Sequence, residues 1–144
     1  MSADLQVLRE EVTGLREMVS LSLLQQQSAS ERLKGVSWAA QLDAGSNDTV
    51  VTALLNALSN DPNENVRLAS VDALKRFAAR DAVRSGAVTA LERQTSPMVQ
   101  IALIDFVVEA GLPNAGSTLR RLAGNDMVHE AVRARAEQVL RQVS

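Results

Sequence analysis

The sequence predicts an all-α solenoid of about four antiparallel helix pairs, in which the first helix is elongated. Three observations predict this fold class. The chain of 144 residues is 46% hydrophobic but only 2% aromatic, and its richness in Ala, Leu and Val favours helix over sheet. One amphipathic pattern recurs at a constant interval. The copies are separated by short segments of helix-stopping and helix-capping residues. We therefore expect one domain built of repeats.

The repeat has a period of 33 residues, which is the interval from Val66 to Val99 and from Val99 to Val132. The copies of the second helix keep the same order of apolar and polar positions, and they occupy residues 66–74, 99–107, 132–140 and, in a degenerate form, 33–41. A further amphipathic segment precedes each clear copy, at residues 50–59, 82–94 and 115–123. The repeating unit is therefore a helix, a turn and a second helix.

The breaks between helices contain proline, asparagine, aspartate and serine. Proline lacks a backbone donor, and the side chains of the other three accept hydrogen bonds from the exposed amides of a first helical turn. These residues cluster at 61–63, 96–97, 111–114 and 124–126. We predict a long helix over residues 1–27, followed by repeats at 28–45, which is degenerate, and at 48–79, 81–110 and 114–143.

The N-terminal helix carries apolar residues at alternating steps of three and four. They are Leu5, Leu8, Val12, Leu15 and Val19. This spacing is typical of a coiled-coil seam, which predicts a stalk that joins copies of the chain into a homo-oligomer. The alternative is an amphipathic helix that lies on its own domain. The short run of heptads, and a glycine in mid-helix that costs about 1 kcal/mol, favour the alternative. We expect the C-terminal half of the same helix to be the first helix of a capping repeat.

Composition excludes several chemistries. The chain has no cysteine and one histidine, His129, so thiolate metal sites and cysteine nucleophiles are absent, and a single imidazole lacks convergent partners. A formal net charge of −2 with 22% charged residues does not indicate a polycation that binds nucleic acid. We predict a protein that is not an enzyme and has no cofactor and no metal. We also expect no membrane span or secretory signal within the chain.

One break and the helix after it resemble the HEAT-repeat motif, in which a turn Asp and a Val-Arg pair open the second helix. The resemblance is carried by Asp61-Pro62-Asn63-Glu64-Asn65-Val66-Arg67, followed by Ala69, Ala73 and Leu74. It implies a ladder between repeats, formed by Asp61 and Arg67. Position 100 is Gln where the motif has Arg, and Asp126 and Arg133 stand one residue further apart than the motif requires. We therefore expect one rung of the ladder.

A narrower resemblance covers the chain from about residue 5 to its end. Residues 23–38, joined to HEAT repeats, are similar to the C-terminal domains of bacterial membrane-anchored anti-sigma-factor-like proteins. Those proteins have a cytoplasmic zinc-finger domain and one transmembrane helix before this domain. The resemblance implies an interaction module in signalling regulation, on the periplasmic side of the inner membrane, with an anchor in a longer parent protein. Without the resemblance, we expect a cytoplasmic location.

Equivalent positions of the second helices predict a binding surface, because such residues form rows on one face of a solenoid. The candidate residues are Asp72, Arg76, Asp105, Glu109, Gln138 and Gln142. The helix that carries Asp105 and Glu109 is otherwise apolar, so these two side chains suggest an acidic centre flanked by Arg76. We hypothesise a protein partner with a basic or mixed-charge segment. The alternative is a solvated polar face without a specific partner.

Two further features allow other functions. Trp38 aligns with Val71 and Ile104, which favours a packed position over a role as an interface anchor.

Basic residues cluster near the C-terminus, at positions 120, 121, 133, 135 and 141, and nearby acidic residues favour a solvated terminal cap over a nucleic-acid surface. A HEAT-like lyase or small-molecule-binding relative and a nucleic-acid-binding solenoid remain the alternatives to a protein-interaction scaffold. The scarcity of aromatic and histidine residues weighs against both.

Overall fold

The predicted fold class is confirmed by the computed structural model, which describes residues 2–112 and 115–143. Over these residues the chain forms eight α-helices and one 3₁₀ turn, and it has no strand. The helices are α1 (Ser2–Leu24), α2 (Ala29–Ala40), α3 (Asp48–Asn60), α4 (Glu64–Leu74), α5 (Asp81–Arg93), α6 (Pro97–Glu109), α7 (Ala115–Ala123) and α8 (Glu130–Val143), with the 3₁₀ turn at Lys75–Phe77. In the predicted break at 111–114, Pro113 and Asn114 lie outside the described residues.

The chain divides into two compact units, of which the first ends at Phe77 and the second begins at Ala78. In the first unit, α1 packs on α2 and α3, and α4 packs on the same two helices. In the second unit, α5 packs on α6 and α7, and α8 packs on the same two helices. Each unit therefore contains two helix pairs, as the repeat pattern predicts.

Side-chain caps explain where several helices begin. The Asn47 side chain accepts a hydrogen bond from the Thr49 amide at 2.8 Å at the start of α3. The Asn63 side chain accepts bonds from two amides in the first turn of α4. Ser96 caps α6, and Pro97 follows it in the first turn, where the missing N–H of proline costs nothing. The predicted capping roles of the residues before α4 and α6 are confirmed.

The end of α6 is set by a glycine. Gly111 has a φ of 64°, a left-handed conformation that side chains with a Cβ rarely adopt. The Leu112 amide bonds to the Val107 carbonyl at 3.1 Å, and the Gly111 amide bonds to the Val108 carbonyl at 3.0 Å. This pair of bonds is a Schellman motif, which satisfies the last carbonyls of the helix.

The contact between α1 and α2 depends on Gly35. A Cβ at this position would lie 2.7 Å from the Leu24 backbone nitrogen and 3.0 Å from the Leu23 Cβ. The buried Ser20 hydroxyl donates a hydrogen bond to the Gly35 carbonyl at 2.9 Å. The close approach fixes the C-terminal half of α1 on α2, so that the opposite side of α1 faces away from the first unit.

Candidate protein-interaction surfaces

The first candidate surface lies on α2 and α4 and contains Trp38. Its indole is 39% exposed, so the expectation of a packed Trp38 is wrong. The aligned residues Val71 and Ile104 are 2% and 0% exposed. Val71 and Ile104 lie on α4 and α6, whereas Trp38 lies on α2, which packs against α1 and α4.

Trp38 borders a shallow groove of about 280 Å³. Leu33 and Ala69 are half-buried beside it, whereas Lys34 and Gln41 are exposed. The groove thus combines half-buried apolar side chains with exposed polar ones, as many protein-binding patches do. We call this the Trp38 surface, and it comprises Leu33, Lys34, Ser37, Trp38, Gln41 and Ala69.

Two of the predicted binding residues lie in the same unit. Asp72 is three residues after Ala69 and therefore shares its face of α4. Its exposed carboxylate lies 3.6 Å from the Lys75 ammonium. The Arg76 guanidinium donates a hydrogen bond through Nε to the Leu42 carbonyl, just beyond the end of α2. Arg76 thus links the 3₁₀ turn to the end of α2.

The other four predicted binding residues lie in the second unit, on α6 and α8. The Asp105 carboxylate accepts a hydrogen bond from Arg135 Nε at 2.7 Å, and Arg135 Nη2 lies 2.6 Å from the same oxygen in an ion pair. Arg135 Nη1 donates to the Gln138 side-chain oxygen at 2.8 Å. Glu109 and Gln142 are exposed. The structure therefore brings Asp105 and Gln138 together through Arg135, a residue that repeat alignment did not select.

The charge of this second surface differs from the acidic centre that the sequence suggests. Asp105 is paired with Arg135 of α8 in the same unit. Helical spacing does not indicate the Asp105–Arg135 pair, because its two residues lie 30 positions apart in the chain. Because α6 and α8 pack together, a carboxylate on one helix meets a guanidinium on the other. The result is a mixed-charge surface on α6 and α8.

Asp61 and Arg67, the expected rung of the ladder between repeats, have different hydrogen-bond partners in the structure. The Asp61 carboxylate accepts hydrogen bonds from Arg32 Nε at 2.7 Å and Nη2 at 3.2 Å. Through this hydrogen bond and its charge, Asp61 raises the pKa of Arg32 above its ordinary value. Arg67 instead donates through Nη1 to the Asp61 backbone carbonyl at 2.7 Å. Asp61 thus connects the turn before α4 to α2, and Arg67 closes the same turn.

The closing bond made by Arg67 has a counterpart where the HEAT motif is broken. Gln100, which aligns with Arg67, donates through Nε2 to the Gln94 carbonyl at 2.8 Å. Both side chains reach the carbonyl six residues earlier in the chain. In the last repeat, Arg133 pairs with the Asp126 carboxylate at 3.2 Å. The amide of Gln100 therefore closes its turn as Arg67 closes the corresponding turn before α4, although it carries no charge.

The basic cluster near the C-terminus is largely paired with carboxylates. In addition to the pairs of Arg133 and Arg135, Arg121 lies 2.6 Å from Glu92. The Thr118 hydroxyl and Arg121 both donate hydrogen bonds to Glu92 and lower the pKa of this carboxyl below its ordinary value. Such pairing leaves less positive charge for the phosphates of a nucleic acid.

The third candidate surface is the apolar stripe of α1, which we define by the five residues at heptad spacing named above. Their exposed fractions range from 37% for Val19 to 60% for Leu15. If α1 lay with this stripe against its own domain, these side chains would be buried, but they are exposed. The side of α1 that packs contains Ser20, and the Glu17 carboxylate accepts a hydrogen bond from the Asn47 amide at 3.3 Å.

His129 lies at the start of α8 and caps that helix. His129 is exposed, and its Nδ1 accepts a hydrogen bond from the Ala131 amide at 3.0 Å at the start of α8. Over residues 2–112 and 115–143, no group of three or more His, Cys, Asp and Glu residues is placed to hold a metal ion. In the same part of the chain, no helix has the combination of length and apolar character needed to cross a membrane.

The comparisons with known proteins agree with the repeat pattern. The family model described as HEAT repeats matches residues 51–141, a range that begins in α3 and ends in α8 and covers more than half of the chain. Comparison with curated proteins and with solved structures gives no match. The paired helices, the capped turns and this match lead to one conclusion: the chain belongs to the HEAT-repeat family.

Proposed function

We propose that this chain is a non-catalytic scaffold that holds a protein partner. HEAT repeats commonly mediate protein–protein interactions. The observation that supports a binding role most directly is the exposed Trp38, because tryptophan is enriched among the residues that contribute most to binding at interfaces. A tryptophan beside a groove that contains apolar side chains is a suitable anchor point for a partner side chain.

The partner segment that we propose has mixed charge and an apolar anchor. Lys34 lies on the Trp38 surface, and the exposed Asp72 shares a face of α4 with Ala69 of that surface, so the two offer charges of opposite sign. In the second unit, the proposed contact residues are Asp105, Glu109, Gln138 and Gln142, with Arg135 beside them. The Asp105–Arg135 pair favours a mixed-charge segment over a purely basic one, because a buried partner charge needs a local charge of opposite sign.

Capture experiments with matched variants test this function. The immobilised full chain is exposed to an extract of its source cells, the bound proteins are identified, and the affinity of each purified candidate is measured. We expect Trp38→Ala to weaken the specific partner at least about tenfold, which is about 1.4 kcal/mol. Met127→Ala is the control, because Met127 is 93% exposed and lies in the second unit. Equal binding by both variants would contradict the role of the Trp38 surface.

The second unit is tested separately. If the α6–α8 surface takes part, Asp105→Lys and Glu109→Lys should each weaken the same partner and leave the fold intact. Unchanged affinity in both variants would remove this surface from the proposal without affecting the Trp38 surface. A measurable turnover that accompanies partner binding would contradict the non-catalytic role.

A finer version of the proposal is that the scaffold is the extracytoplasmic domain of an anti-sigma-factor-like regulator. It is supported by the similarity of residues 23–38, which include the end of α1, the turn to α2 and Trp38 itself. The full reading frame of the gene tests it. An upstream hydrophobic helix preceded by a zinc-ligand domain would support this role, and a translation start at Met1 would contradict it.

A further inference from the structure

The apolar stripe of α1 is exposed along its whole length, although the helix is anchored at one end. All residues from Ser2 to Val12 are exposed. The anchoring contacts come from the other side of the helix, through the Ser20 hydroxyl on the Gly35 carbonyl and through Glu17 on the Asn47 amide. If Leu5 is assigned to heptad position a, Glu17 is at f and Ser20 is at b. The positions that face the first unit are thus those that face outward in a coiled coil.

The charges beside the stripe favour one orientation of two α1 helices. At the g positions stand Asp4 and Glu11, and at the e positions stand Arg9 and Arg16. In a parallel pair in register, each g residue meets the e residue five positions later on the other helix. Asp4 then meets Arg9, and Glu11 meets Arg16, so every pair is attractive.

An antiparallel pair would bring residues of like charge together. In that orientation g positions meet g positions and e positions meet e positions, so that charged contacts would join acidic residues (Asp4, Glu11) with each other and basic residues (Arg9, Arg16) with each other. Like charges across such a seam destabilise association. The same residues that stabilise the parallel pair therefore disfavour the antiparallel one.

The residues of the stripe also favour two strands. Leucine occupies both central d positions, at Leu8 and Leu15, and the β-branched Val12 and Val19 occupy two of the three a positions. In parallel coiled coils, a β-branched residue at a with leucine at d favours dimers over trimers. We propose that α1 forms a parallel, in-register, two-stranded coiled coil with α1 of a second copy of this chain. This inference goes beyond the scaffold function and is independent of the Trp38 surface.

Sedimentation equilibrium of the full chain tests the dimer. Over protein concentrations from about 1 µM to about 1 mM, we expect the mass to approach twice the 15.5 kDa of one chain. Leu8→Glu combined with Leu15→Glu should weaken association at least about tenfold while circular dichroism stays unchanged, because both side chains are exposed in the single chain. Met98→Glu combined with Met127→Glu is the control, since these methionines are equally or more exposed but lie in the second unit.

The charge pairs are tested by reversing them. Arg9→Glu with Arg16→Glu should weaken self-association, and so should Asp4→Lys with Glu11→Lys, because each variant places like charges at every g–e contact. A mixture of the two variants restores the attractive contacts and should associate at least as tightly as the unchanged chain. Failure of the mixture to associate would contradict the proposed pairing.

The orientation is tested with single cysteines, since the chain has none of its own. Leu5→Cys should form a disulfide between two copies in a parallel dimer, because equivalent positions then face each other. In an antiparallel coiled coil a positions face d positions, so Leu5 would face a d residue such as Leu15, about 15 Å away along the helix, and a disulfide requires Cα atoms within about 7 Å. A dimer in which Leu5→Cys forms no disulfide, or forms one only in a mixture with Leu15→Cys, would overturn the parallel arrangement. A monomer at every concentration, a trimer, or a dimer unaffected by the leucine variants would overturn the coiled coil itself.

Discussion

Arg32 and Asp61 form an ion pair with two hydrogen bonds that connects α2 to the turn between α3 and α4. Arg32 Nε lies 2.7 Å from Asp61 Oδ2, and Nη2 lies 3.2 Å from Oδ1. The Asp61 side chain is 6% exposed and also accepts a hydrogen bond from the Asn63 amide at 2.9 Å. This carboxylate therefore orders the turn before α4 and joins the two repeats of the first unit.

The first prediction concerns the Asp61 carboxylate. Asp61→Ala removes the partner of a shielded guanidinium and the acceptor of a turn amide, so we expect a clear fall in the free energy of unfolding. Asp72→Ala is the control, because the exposed pair of Asp72 with Lys75 should contribute about 0–1 kcal/mol. Urea unfolding measures both variants. Equal effects of the two substitutions would show that the Arg32–Asp61 pair has no special role in stability.

The second prediction compares two glycines of the same region. Gly35→Ala places a Cβ against the backbone of α1, which cannot move without separating α1 from α2, and it should destabilise the first unit by about 1–3 kcal/mol. Gly14→Ala is the matched substitution, since a Cβ there meets nothing within 4 Å. It should stabilise α1 by about 0.5–1 kcal/mol through its higher helix propensity. Thermal unfolding of the two variants should therefore shift in opposite directions.

The third prediction concerns Gln100, which is 6% exposed. Gln100→Met keeps the approximate length of the side chain but removes the donor that bonds to the Gln94 carbonyl. We expect a loss of about 1 kcal/mol in unfolding free energy, the typical net contribution of one hydrogen bond. Gln142→Met changes an exposed residue of α8 and is the control. Its free energy of unfolding should stay within about 0.5 kcal/mol of that of the unchanged chain. An unaltered midpoint for Gln100→Met would mean that the closing bond of this turn does not stabilise the fold.

The fourth prediction concerns acid stability. Glu92 has a pKa lowered from its ordinary value of 4.5, because Thr118 and Arg121 donate hydrogen bonds to its ionised form. A lowered folded-state pKa stabilises the fold above the unfolded-state value, and this contribution disappears as the pH falls through the folded-state value. The stability advantage of the unchanged chain over Glu92→Gln should therefore be present near neutral pH and shrink below about pH 4.5.

Urea unfolding at a series of pH values measures this difference. Glu137→Gln, which changes an exposed carboxylate of α8, corrects for the loss of one negative charge. If the difference between the unchanged chain and Glu92→Gln is the same at all pH values, the hydrogen bonds from Thr118 and Arg121 do not favour the ionised carboxyl.

The sequence alone determined the helices, their pairing and the capped turns. These features depend on contacts between residues close in the chain, such as the Asn63 side chain and the first amides of α4. Because the pattern repeats along the chain, equivalent positions in α4, α6 and α8 can be identified by aligning their residues. The same local rules identified the heptad spacing of α1 and the charges on either side of it.

The tertiary structure alone decided which partner each charged group has and which apolar residues remain exposed. Asp61 with Arg32, and Asp105 with Arg135, are separated by 29 and 30 positions, and no local pattern indicates which helix lies beside each carboxylate. Trp38 is exposed, although the positions that align with it are buried. Alignment of the repeats predicts where a residue lies within its helix. The environment of its side chain, however, depends on the neighbouring helices, which differ from one repeat to the next.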